Sequence, residues 1–323
     1  MRSIKGKRVL VTGGAGFIGS HLVDSLLAAG AERVVVLDNF FLGKPENLHD
    51  AQKNYSNVEI YRDDARHFGV VQAVLEKENI QVVFNMATIA LNYSFFNPFD
   101  SWMVNIEVMN TLLELLKMGA YETLIHTSSS EAYGTARYKP MDERHPLDPT
   151  TPYAAGKAAA DMMAISLQYV TDLDISVIRP FNNYGPRQND GLLAAVIPLT
   201  AHRILNGEKP MLEGTGEQTR DFMYVTDTAK AHIMAYENEN CRGRIVNIGS
   251  GVETSMKELI GKIMTHFNYT GEIDQRPART SDVVNLCADI SLAKELINFK
   301  PKVGLDEGLK ITLDWYASQG GAE

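Results

Sequence analysis

The chain has 323 residues, 45% of them hydrophobic and 22% charged, with a net charge of -9. That composition belongs to an ordinary globular protein with one large or two modest cores. The acidic balance, with basic residues scattered singly, argues against a nucleic-acid surface. The sequence carries no apolar run of membrane-spanning length and no secretory leader, so no membrane role is expected.

Strand-like and helical runs alternate from the N-terminus. Arg8–Thr12 reads as a buried strand, and the run Gly13-Gly14-Ala15-Gly16-Phe17-Ile18-Gly19 as a turn opening a helix that ends near Ala29. The G-x-x-G-x-x-G spacing suits a dinucleotide. Gly13 supplies the turn, Gly16 lets backbone approach a pyrophosphate, and Gly19 lets the helix pack close to the strand. Phe17 and Ile18 open that helix toward the phosphates. Arg33–Leu37 is the next strand, and Asp38 ends it. Asp38 lies 19 positions past Gly19, the offset of an acid that binds a ribose 2′-hydroxyl. A carboxylate there repels a 2′-phosphate, which favours NAD over NADP.

Further strands are expected at Val58–Tyr61, Val82–Asn85, Thr123–Thr127 and Ile175–Arg179. Helices are expected at Val70–Lys77, Ser101–Met118 and Tyr153–Val170. This alternation predicts an α/β protein: a Rossmann-type, doubly wound parallel sheet with ligands outside the carboxyl ends of the strands. Asp64, Ala87, Ser128 to Glu131 and Asn182 fall at those ends. From Pro180 the chain becomes turn-rich, which predicts a smaller C-terminal α/β substrate domain. Val225–Tyr236 and Ile245–Gly249 are expected to return to the first domain. The division is then 1–179 plus about 223–250 for the dinucleotide, and 180–222 with 251–323 for the substrate. Cys241 and Cys287 lack metal-ligand spacing and read as buried free thiols in a reducing cytoplasm; no metal is expected.

Tyr153 and Lys157 stand four residues apart at a helix start and share a face. The lysine charge can lower the phenol pKa and help it accept a proton from a sugar hydroxyl. Thr127-Ser128-Ser129-Ser130-Glu131 follows a strand and offers hydroxyls to the same reacting oxygen.

Together these motifs resemble the extended short-chain dehydrogenase/reductase superfamily, in its NAD-dependent nucleotide-sugar epimerase/dehydratase branch. The resemblance runs nearly end to end. It takes in Gly13/Gly16/Gly19, Asp38-Asn39, Asp64-Ala65, the Asn105 helix, Ser129, Tyr153/Lys157, Arg179-Pro180-Phe181-Asn182, Arg220-Asp221-Phe222 and Arg279. It implies tightly bound, recycled NAD. Asp64 and the Ala65 backbone would contact adenine, and Asn39 and Ala87 would border the cofactor. Tyr153 would take the 4-hydroxyl proton with help from Ser129, and Lys157 would bind the nicotinamide ribose. Asn182, Arg187, Arg220 and Arg279 would hold the nucleotide sugar, the arginines offering planar donors to its diphosphate. A homodimer joined through a four-helix bundle of the helices Ser101–Met118 and Tyr153–Val170 is implied as well.

Glu131 decides between reactions. The matching position is often Glu in 4,6-dehydratases and uronic-acid decarboxylases and is usually not acidic in 4-epimerases. Oxidation at C4 acidifies the C5 proton, which a carboxylate can remove while C6 loses its hydroxyl. The Ser130-Glu131 pair and the residues after it look most like dehydratases of legionaminic-acid pathways. The expectation is a 4,6-dehydratase acting on a UDP- or GDP-linked hexose or N-acetylhexosamine. A 4-epimerase or a UDP-glucuronate decarboxylase of the same fold is the alternative, and a non-catalytic redox sensor is a distant third. One segment departs from the pattern: Asn85-Met86-Ala87-Thr88-Ile89-Ala90-Leu91-Asn92-Tyr93-Ser94 stands where a His-Leu-Ala-Ala start is more usual, and Trp102 in the next helix is also unexpected.

Overall fold

The computed structural model describes residues 2–191, 193–278 and 283–319. The first part of the chain runs β1 (Arg8–Thr12), α1 (Phe17–Ala28), β2 (Arg33–Asp38), α2 (His49–Asn54), β3 (Val58–Arg62), α3 (Phe68–Glu78), β4 (Val82–Asn85), α4 (Pro98–Lys117), β5 (Thr123–Thr127), α5 (Pro152–Thr171) and β6 (Asp174–Pro180). Then follow β7 (Asn182–Tyr184), α6 (Val196–Leu205), β8 (Met211–Glu213), β9 (Thr219–Tyr224), α7 (Val225–Glu237), β10 (Ile245–Ile248), β11 (Glu253–Ser255), α8 (Met256–His266), β12 (Asp274–Arg276), α9 (Ser291–Ile297) and α10 (Leu305–Gln319).

The main sheet has seven strands in the order β10-β6-β5-β4-β1-β2-β3, and every pairing in it is parallel. The chain winds outward from β1 to β3, then returns to β4 on the other side of β1. A crevice opens at that reversal, above Thr12, which is in register with Leu37 on one side and Asn85 on the other. The sheet is apolar on both faces because both are covered. Val9, Val11, Val34, Val36 and Phe84 point into one buried cluster with α1, α7 and α9. Leu10, Val35, Leu37, Val83 and Leu124 point into the other, under α3, α4 and α5.

The return of 245–248 to the main sheet comes about through β10 pairing with β6. Ala293, Ile297 and Phe299, around α9, bury in the same cluster as α1 and α7. The remainder of the chain forms smaller pieces. A three-stranded sheet β11-β9-β7 and a two-stranded pair β12-β8 surround a core in which Tyr184, Phe222 and Tyr224 meet α6, α8 and α10.

Helix starts lie earlier than the apolar spacing suggested, and capping explains it. Asn97 caps α4 by accepting from the Asp100 amide, and Pro98 follows as the first helical residue. Thr151 and Pro152 do the same for α5, with the Thr151 hydroxyl accepting from Ala154.

Candidate active site

One cavity of about 580 Å³ opens at the carboxyl ends of β1, β2, β4, β5 and β6 and extends under the smaller pieces. All the described residues expected to bind or react line it: Gly13, Gly16, Phe17, Ile18, Gly19, Asp38, Asn39, Asp64, Ala65, Ala87, Ser129, Ser130, Glu131, Tyr153, Lys157, Asn182, Arg187 and Arg220. Arg279 lies outside the described residues.

The glycine turn forms a cradle that side chains would fill. Gly13 has φ +68°, and a Cβ on it would come 2.8 Å from the Ala87 backbone. A Cβ on Gly19 would collide with the Gly13 carbonyl oxygen. The amide end of α1 therefore faces the cavity with no side chain across it. At the tip of β2, Asp38 is buried. Its Oδ2 accepts from the Ala15 amide (2.9 Å) and its Oδ1 from the Phe40 amide (2.8 Å). Burial pushes its pKa up against the pull of those amides. Asp64 is gripped by Arg66, whose Nε and Nη2 donate at 3.0 and 2.9 Å, and by Asn39 Nδ2 at 3.0 Å. Burial alone would raise its pKa, but these donors hold it down to about 2. A glycine cradle, a carboxylate at the end of β2 and a second acid at the end of β3 fit a dinucleotide with a free ribose 2′-hydroxyl.

The reacting end is built on β5 and α5. Ser129 Oγ accepts from the Glu131 amide at 3.3 Å and starts a tight helical turn over Ser130–Tyr133. That turn places Ser129, Ser130 and Glu131 on the cavity wall facing α5. The Tyr153 hydroxyl has Ser129 and Thr88 as hydrogen-bonding neighbours. Enclosure pushes the phenol pKa up to about 12; the Ser129 bond opposes this, the nearby Glu131 charge adds to it, and the Thr88 bond opposes it. Burial is the largest influence on the phenol, and Lys157 is not among the groups that act most on it, so the lowering expected from the lysine is not seen here. Lys157 is itself 1% exposed and donates to the Thr127 carbonyl at 2.8 Å. Burial lowers its pKa to about 8, against the attraction of Asp161 one turn along.

Behind these groups lies a polar network centred on Asp161, which the sequence reading did not single out. Asp161 Oδ2 accepts from Ser128 Oγ and Arg179 Nη2, both at 2.6 Å. Arg179 lies over the Tyr133 ring at 4.3 Å. His126 Nε2 is 3.5 Å from Asp161 Oδ1. All three charged or titratable side chains are at most 1% exposed. An Arg inside a strand, followed 18 residues after an Asp on a helix of the same crossover, was the available signal.

On the substrate side, Asn182 Oδ1 is buried with no hydrogen-bond partner among the described residues. Arg220 is 9% exposed and donates from Nη1 to the Thr219 carbonyl at 2.9 Å. Arg187 lines the cavity, but its guanidinium is engaged by Asp24 at 2.7 Å, with Asp50 at 3.8 Å. Much of its charge is therefore compensated on α1.

A parallel sheet reversing at a glycine cradle, with Ser, Tyr and Lys in one cavity, defines a short-chain dehydrogenase/reductase. The family model for GDP-mannose 4,6 dehydratase matches residues 10–312. A UDP-glucose 4-epimerase of Mycolicibacterium smegmatis is 35% identical over 97% of this chain and 99% of its own length. UDP-glucuronic acid decarboxylase 1 of Xenopus tropicalis is 34% identical over 97% of this chain and 73% of its own. The crystal structure of a dTDP-glucose 4,6-dehydratase from Streptomyces venezuelae, which carries NAD, superposes with a TM-score of 0.91 at 28% identity, over 97% of this chain and 98% of that one. The chain belongs to the NAD-dependent nucleotide-sugar epimerase/dehydratase family of the extended short-chain dehydrogenase/reductase superfamily, and its cofactor is NAD.

Proposed function

We propose that this protein is a nucleotide-sugar 4,6-dehydratase. The carrying observation is that Glu131 shares the cavity wall with Tyr153, close enough for its charge to act on the phenol. An epimerase needs one acid–base group at C4. A second carboxylate beside it is what removal of a C5 proton requires. Bound NAD supplies a hydride acceptor and donor. In this reading Tyr153 takes the proton of the sugar 4-hydroxyl while Ser129 hydrogen-bonds the same oxygen. Glu131 then takes the C5 proton and passes it to the C6 hydroxyl, which departs as water beside Ser130. Lys157 orients the nicotinamide ribose. Asn182 and Arg220 hold the nucleotide sugar, a UDP- or GDP-linked hexose or N-acetylhexosamine, and the unpartnered Asn182 Oδ1 supports a polar ligand there. Arg187 and Arg279 complete the diphosphate site in this proposal.

The reading includes a cytoplasmic homodimer. Both cysteines are free and buried, as suits a reducing compartment. On α4 and α5, Phe99 (73%), Met162 (46%) and Tyr169 (79%) are exposed, with the Trp102 ring edge-on to Phe99 at 5.8 Å. An apolar surface across two adjacent helices supports pairing of copies into a four-helix bundle.

Glu131→Gln tests the reaction. It should stop water loss while leaving NAD reduction by the sugar intact. A Gln variant that still dehydrates its substrate removes Glu131 from the mechanism.

A further inference from the structure

The segment that departs from the expected pattern delivers a hydroxyl to the reacting oxygen. Asn85 closes β4 with its side chain fixed on both sides. Thr12 Oγ1 donates to Asn85 Oδ1 at 2.8 Å, and Asn85 Nδ2 lies 3.1 Å from His126 Nδ1. The chain then passes Ala87, packed against Gly13, and presents Thr88 on the cavity wall. The Thr88 hydroxyl donates to Asn105 Oδ1 at 2.9 Å. The orientation of the Asn105 amide is fixed: its Nδ2 donates to the Ser101 carbonyl at 3.0 Å, and the side chain is 2% exposed. Its oxygen therefore faces Thr88. Thr88 is at the same time a hydrogen-bonding neighbour of the Tyr153 hydroxyl, as is Ser129, and all three line the same cavity.

A hydroxyl has one proton and two lone pairs. Beside a neutral Tyr153, Thr88 donates to Asn105 and can accept from the phenol. Beside a phenolate, the same proton has a charged acceptor within reach, and bonds to charged acceptors are about twice as strong as neutral ones. Rotation about the Thr88 Cβ–Oγ1 bond is all that exchange requires. No covalent bond forms or breaks.

We propose that Thr88 is a second hydroxyl acting on the reacting oxygen of Tyr153, holding its proton on Asn105 in one state and turning it to the phenolate in the other. This rests on Tyr153 being the acid–base group. The charged groups that act on Tyr153 are Glu131 from the turn after β5 and Asp161 from its own helix, with Lys157, His126 and Arg179 around Asp161. The α4 side chain that reaches it through Thr88 is the neutral Asn105.

The test is a pH titration of tyrosinate absorbance in NAD-loaded protein, taken as the difference between each variant and its counterpart that also carries Tyr153→Phe. Thr88→Val keeps the shape and removes the hydroxyl. Its Tyr153 midpoint should lie about one pH unit above that of the unaltered protein, a tenfold weaker acid. Thr88→Ser should restore the midpoint. In turnover, Thr88→Val should move the acid limb of the rate profile by the same amount. An unmoved midpoint in Thr88→Val overturns the proposal. Full turnover by Tyr153→Phe instead overturns the reading of Tyr153 on which it rests, and the two failures are read in different proteins.

Discussion

Gly13 and Asp221 mark the two halves of this molecule, and the chain around each is held differently. Gly13 sits at the end of β1, between β2 and β4, in a sheet whose strands bury apolar side chains on both faces. Its position follows from backbone ladders and steric fit. Asp221 sits on β9, and its carboxylate organises the surrounding loops. It accepts from the Ser250 amide (2.7 Å) and hydroxyl (2.6 Å), the Gly251 amide (2.9 Å) and the Ala288 amide (3.0 Å). Asp227 does similar work for the Lys302 and Val303 amides, at 2.7 and 3.0 Å. The main sheet takes its order from repetition, and the region around β9 takes its order from single side chains.

Breaking each half should give a different signature. Gly13→Val puts a side chain into the Ala87 backbone at a residue with φ +68°. NAD binding should be lost entirely in calorimetry, and retained affinity would mean the cradle is not where the dinucleotide lies. Asp221→Ala strips the acceptor from four donors on three residues. It should destabilise the protein by about 3–5 kcal/mol in denaturant unfolding. A loss below about 1 kcal/mol would show that the loops are held by something else.

Lys157 gives the smallest effect and the most specific one. Its pKa of about 8 lies below the ordinary 10.5, so the unfolded chain binds the extra proton between those values. Stability from this group is therefore lowest below pH 8 and rises with pH from 8 to 10.5. Lys157→Met should remove that dependence and raise stability at pH 7 by up to about 3 kcal/mol, while abolishing turnover. A less stable Met variant at pH 7 would contradict the view that the buried ammonium is kept for the site at the expense of the fold.

The sequence made the cofactor half readable because its signals are local. β1, β4 and β5 have the expected bounds, and the other main strands differ by a residue or so, since short continuous apolar runs between turn residues can be read locally. Helices α6, α8, α9 and α10 were not anticipated. Leu259, Ile260 and Ile263 on α8 carry a helical stripe, but it becomes a core only when Tyr184 and Phe222 arrive from distant strands. The site shows the same divide. Glycine and Tyr-Lys spacing marked the cavity. Thr88 looked like an unexplained departure, because its meaning depends on α4 and α5 bringing Asn105 and Tyr153 to it. Asp161 and Arg179 meet only through the packing of α5 on β6.

The central claim is the chemistry at Glu131. Incubating the NAD-loaded protein with UDP-, GDP-, dTDP- and CDP-sugars, UDP-glucuronate among them, and weighing the products tests it most directly. The account expects one substrate to lose a single water. An unchanged mass with a new sugar isomer, or loss of carbon dioxide from UDP-glucuronate, would contradict it.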